Sequence, residues 1–180
     1  MTAMKWVWLV LASLVLVVLQ VTIADQLTIG GVHVELVWVL PIAAGLVAGP
    51  VPGMAAGFVG GVAVDLFVIT PFGLTALVGI LLGYALGRLG EEGVGDLGGA
   101  AIWVAPFLAF CAGAVAPLAY ALLGALFGHR GYLTVDLAMI CLLDAVACAL
   151  LVRPVMYALS PALSKESPRG SSLDSVRGVL

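Results

Sequence analysis

The feature that most constrains this chain is a succession of apolar runs separated by short polar or Gly/Pro breaks. The runs fall at about 6–23, 34–48, 54–70, 73–88, 101–127 and 135–159. A helix needs roughly 20 apolar residues, at about 1.5 Å of rise each, to cross the hydrocarbon of a bilayer. Six runs of this kind leave little chain for anything else. Only 17 of 180 residues are Lys, Arg, Asp or Glu, and 63% are apolar. A soluble domain covers itself with about 25% charged residues, so water is excluded as the main solvent. The expected fold is an all-α, polytopic membrane bundle of about six transmembrane helices. Residues 1–159 would form one transmembrane domain, and 160–180 a disordered cytoplasmic tail rich in Ser, Pro, Lys and Arg.

The breaks between runs carry the usual helix punctuation. Gly49-Pro50-Val51-Pro52-Gly53 reads as a tight hairpin between the second and third segments. Pro71 ends the third segment, and Gly128-His129-Arg130-Gly131 forms the turn before the sixth. Pro106 and Pro117 lie inside the fifth as expected kinks. The first run is longer than the core of a secretory signal and is read as a retained helix. Orientation follows from the Lys and Arg residues. With six spans, Lys5, Arg88, Arg153, Lys165, Arg169 and Arg177 share the N-terminal side and Arg130 lies opposite. Both termini are therefore expected in the cytoplasm, in a multi-pass protein of the cytoplasmic membrane. A re-entrant pair in place of segments two and three would not change that parity.

Net charge is −3, with no basic patch for nucleic acid. Cys111, Cys141 and Cys148 sit inside apolar runs without C-x-x-C spacing and read as small hydrophobes. His33 and His129 have no companions at ligand spacing, so no metal is expected. No Walker loop, H-E-x-x-H or Ser-His-Asp set is present, which points away from an enzyme and from any cofactor.

Two patterns are more specific. Gly53, Gly57 and Gly61 recur every fourth residue, with Asp65 as the next term; Gly79, Gly83 and Gly87 repeat the device in segment four. Positions four apart advance about 400° around a helix and form a narrow stripe. Small residues on such a stripe let helix backbones approach closely. Segments three and four are thus expected to pack tightly, against each other or against a neighbouring helix. The second pattern is the intramembrane carboxylate, costly in lipid and in need of a partner or a use. Asp65 has three roles open to it: accepting hydrogen bonds from Thr70, Thr75 or backbone N–H groups of the next helix, contacting a partner, or holding an ion or proton. Asp144 is expected to face the bundle interior, half a turn away from Arg153 on the same helix. Glu35, at the outer mouth of segment two, is expected to reach water.

The run Gly57-Phe58-Val59-Gly60-Gly61, then Asp65, Pro71-Phe72-Gly73 and Gly83-Tyr84-Ala85-Leu86-Gly87, resembles the rod shape-determining protein MreD family. That family carries a G-F-x-x-G-x-x-x-D pattern closing one helix, a small loop with Leu-Gly or Phe-Gly, and an apolar helix ending in a Gly-Tyr element. Leu19-Gln20-Val21-Thr22 and Ile29-Gly30-Gly31 extend the likeness upstream, whereas Val34-Glu35 stands where the family often has Pro-Asp. Beyond Arg88 the agreement is in hydropathy and length. The resemblance implies a non-enzymatic scaffold of bacterial cell-wall elongation. Its implied partners are the bitopic protein MreC, the actin-like MreB, and RodA with a class B penicillin-binding protein. It also implies an architecture similar to the S-components of energy-coupling-factor transporters. A solute-binding subunit of that kind is the alternative function. Gly57, Phe58, Gly61, Asp65, Pro71 and Gly73 are the residues it marks as structural or partner-contact candidates, beside Gly79, Gly83 and Asp144 from the reading above.

Overall fold

The computed structural model describes residues 32–67, 72–91, 101–128 and 136–163, with 28–29 and positions 7, 10–12, 14, 15, 18 and 22. Pro71 and the tail beyond 163 lie outside the described residues. The regular elements are, in order, β1 (Thr28–Ile29), β2 (Val32–His33), a 3-10 turn (Leu36–Trp38), α1 (Val39–Ala48), α2 (Pro50–Phe67), α3 (Leu74–Leu89), α4 (Ala101–Leu126) and α5 (Leu137–Leu163). The described positions between 7 and 22 are helical as well, so each of the six apolar segments contains helix. The antiparallel pair β1–β2 sets Thr28 opposite His33 and Ile29 opposite Val32, a small departure from an all-helical chain.

Among the described residues, three helices are long and apolar enough to cross a membrane: Pro50–Phe67, Trp103–Leu126 and Leu137–Ser160. The stretches Leu36–Ala48 and Leu74–Leu89 are apolar but shorter than 18 residues. The expectation of six full spans is therefore met in part, by a helical bundle with three helices of spanning length among the described residues. Leu36–Ala48 has a different position from the others. Trp38, Ile42, Ala43 and Ala44 are fully buried, and α1 is packed on by α2, α3, α4 and α5. A helix apolar on all sides belongs in the middle of a bundle, and a run of 10–14 apolar residues is more often such a core helix than a span.

The expected five-residue hairpin between segments two and three narrows to one residue. Gly49, at φ 95° and ψ −175°, is the sole non-helical residue between α1 and α2. Pro50 and Pro52 fall in the first turn of α2, where a helix has no intrahelical partner for the missing N–H and the fixed proline φ suits the helix. At the far end of the chain, α5 continues through Ser160 and Pro161 to Leu163, past the expected boundary at 159.

Helices α2 and α3 form the most extensive antiparallel pair, and α4 and α5 the second, with α1 between them. The α4 side of the second pair uses Ala105, Ala109, Ala112 and Ala116, all nearly or fully buried. Their 4-3-4 spacing keeps them on one face. Outward faces are apolar: Leu66, Phe67, Trp103, Phe107, Leu150 and Tyr157 are each at least two-thirds exposed or close to it. Contiguous apolar surface of this extent is not sustained in water.

Candidate functional site

The glycine repeats meet each other. Antiparallel α2 and α3 set Gly53 against Gly83, Gly57 against Gly79, and Gly61 against Ala76. A Cβ at Gly79 would lie 2.8 Å from Gly57 O and 2.9 Å from Gly57 Cα, well inside van der Waals contact. The neighbouring atoms are backbone and cannot turn aside. Of the two packing arrangements open to the stripe, the fold takes the internal one, which leaves Gly57, Gly61, Gly79 and Gly83 buried and out of reach of a partner helix. Gly45 of α1 joins the same seam, 2.8 Å from Gly83 O by its Cβ direction. It was legible as an upstream continuation of the four-residue spacing, through Gly49, but lies in a different helix.

Asp65 closes this seam. Its Oδ2 accepts the backbone N–H of Gly73 at 2.9 Å and, at 3.4 Å, that of Ala76. These are the N-cap and third residues of α3, whose first amides have no carbonyl to bond. Gly73 has no side chain to cap its own helix and holds φ 93°, a left-handed conformation suited to glycine. Asp65 thus caps α3 from across the loop, and negative charge is favoured at that helix end. Its Oδ1 is buried without a hydrogen-bond partner. Phe58, on the same motif, is half exposed on the outer face of α2.

Asp144 occupies a second polar position, where Glu35 joins it. Asp144 is fully buried about two turns into α5. Its Oδ1 accepts the backbone N–H of Glu35 at 2.8 Å, across 109 positions of sequence. Glu35 is partly exposed, and its Oε2 accepts the indole N–H of Trp38 at 2.9 Å. The 3-10 turn folds its side chain back over the buried indole, and β2 packs beside α5. Among the described residues, no group of three His, Cys, Asp or Glu side chains could hold a metal ion. The three cysteines are unpaired thiols, with Cys148 buried one turn beyond Asp144.

A cavity of about 210 Å³ opens beside the α3 N-terminus, lined by Phe72, Gly73, Leu74, Leu77 and Phe127. It is smaller than the 300–1,000 Å³ of typical ligand sites and mostly apolar. No family model matches the sequence, and neither the curated proteins nor the solved structures contain a match.

Proposed function

We propose that this chain is a non-enzymatic membrane scaffold of the MreD type, embedded in the cytoplasmic membrane with both termini cytoplasmic. On this reading it binds an MreC-type bitopic protein within the cell-wall elongation machinery, alongside MreB and RodA with its penicillin-binding partner. The observation that carries the reading is the way the motif residues work together. Gly57, Gly61, Asp65 and Gly73 build one rigid two-helix unit, while Phe58 of the same motif projects outward. A motif that fixes a helix pair and presents one aromatic face suits a protein whose product is a surface. The three spanning-length helices and their exposed apolar flanks support placement in lipid.

The test is co-purification in mild detergent with the host's MreC-type protein and, separately, with an energy-coupling module. Stoichiometric recovery of the MreC-type protein, reduced severalfold by Phe58→Ala combined with Leu66→Ala, is the expected outcome. Both side chains are exposed, so their removal spares the core. Recovery of the coupling module alone would overturn the scaffold reading in favour of a solute-binding subunit. No recovery of either would also count against it.

A further inference from the structure

We propose that Glu35 and Asp144 form a proton-binding site near the end of the bundle where α1 and α5 begin, with the proton held on Asp144 and the partly exposed Glu35 as its route of entry. The geometry distinguishes the two carboxyl groups. Glu35 is half buried and already accepts a hydrogen bond from the Trp38 indole. Asp144 is fully buried; one oxygen accepts the Glu35 N–H, while Oδ2 is enclosed without any hydrogen-bond partner. An anionic oxygen with no donor in apolar surroundings is strongly disfavoured, and a bound proton removes the charge.

Among the described residues, Asp144 Oδ2 has no hydrogen-bond donor. On α5 itself, Cys141 and Cys148 lie three residues before and four after it, on the same face. From α4, Gly113 packs against this stretch of α5, where a Cβ would meet Asp144 O at 2.7 Å and Cys148 Cβ at 2.9 Å. The titratable residues of α4 are Cys111 and Tyr120, and α1 contributes none. His33 precedes Glu35 by two residues in β2, the strand that packs on α5. Arg153 is nine residues along α5, half a turn round and about 13 Å away by helical rise. A hard metal cation takes six or more oxygen ligands, and no three-residue ligand group exists among the described residues. A proton needs only the one lone pair that Oδ2 leaves unused. Full burial also keeps a partner's cationic side chain from reaching it.

The test uses the full chain in detergent or liposomes with dicyclohexylcarbodiimide, an apolar reagent that adds to un-ionised carboxyl groups. Peptide mass mapping of the unmutated protein should place the adduct on Asp144, with labelling that falls severalfold at alkaline pH. Infrared spectra near neutral pH should show an un-ionised carboxyl band that shifts in heavy water and is absent from Asp144→Asn. Adducts on Glu35 instead of Asp144, labelling that does not change with pH, or a missing carboxyl band in the unmutated protein would each overturn the proposal. The mapping and the first spectrum require no variant, so misfolding of Asp144→Asn cannot decide the outcome.

Discussion

Gly57 and Gly60 are three residues apart on one helix, yet replacing each with alanine should move stability in opposite directions. A Cβ at Gly57 would overlap the Gly79 backbone and come 2.7 Å from Ile80 N. Ordinary contact begins at 3.4 Å, so α2 and α3 must part by roughly 0.7 Å or more, enough to forfeit a quarter to a half of the dispersion attraction along the seam. Overpacking against backbone belongs at the upper end of the usual range, about 3 kcal/mol. Alanine's better helix propensity returns about 1 kcal/mol, leaving Gly57→Ala less stable by about 2 kcal/mol. At Gly60 the Cβ would meet only Val37 Cγ2, at 3.9 Å. There the propensity term acts alone, and Gly60→Ala should gain about 0.5–1 kcal/mol. Reversible unfolding in mixed micelles of mild and denaturing detergent, followed by far-UV circular dichroism, measures both. Equal midpoints for the two variants, or a Gly57→Ala protein as stable as the parent, would refute the backbone-contact argument.

Two other perturbations follow from the same contacts. Asp65→Ala leaves the Gly73 and Ala76 amides without their acceptor and should cost about 1–3 kcal/mol. Asp65→Asn retains a carbonyl oxygen and should recover much of the loss, with amide hydrogen exchange at Gly73 and Ala76 separating the two; identical exchange would remove the capping role. In single-tryptophan variants reconstituted with bromine-substituted lipids, Trp103, 78% exposed, should be strongly quenched and Trp38, fully buried, hardly at all. Equal quenching would show that the outward apolar faces are not the lipid-facing ones.

Much of the architecture was written in local pattern. The apolar runs located the helices, and the two glycine repeats identified the seam, because both signals depend on spacing within one segment. What a repeat cannot say is which surface it meets; Gly57 finds Gly79 only once α2 and α3 are antiparallel. Pro50 and Pro52 read as a break because proline usually ends a helix, yet in a first turn it begins one. The second segment, expected at about 34–48, is helical over Leu36–Ala48 but shorter than a span, since hydropathy does not distinguish a span from a core helix. The Glu35–Asp144 bond joins residues 109 apart. In sequence, Glu35 stands at a segment mouth and Asp144 is a carboxylate expected to face the bundle interior, and no spacing joins the two. Only the packing of the 3-10 turn and α1 against α5 makes them a pair.

The central position of α1 bears on how the chain is made. This helix leaves the ribosome before α2, α3, α4 and α5, which all pack on it, and the last of them, α5, begins at Leu137, roughly 90 residues after Ala48. At 13 residues with the 3-10 turn, or about 20 Å, it is too short to hold itself across a bilayer while it waits. Between synthesis of α1 and release of α5, the nascent chain needs a sheltering surface, from the insertion machinery or from α2 and α3 folding back through Gly49. A ribosome stalled before residue 137 should therefore present an α1 that is accessible to crosslinking by the insertase, and completion of α5 should end that access.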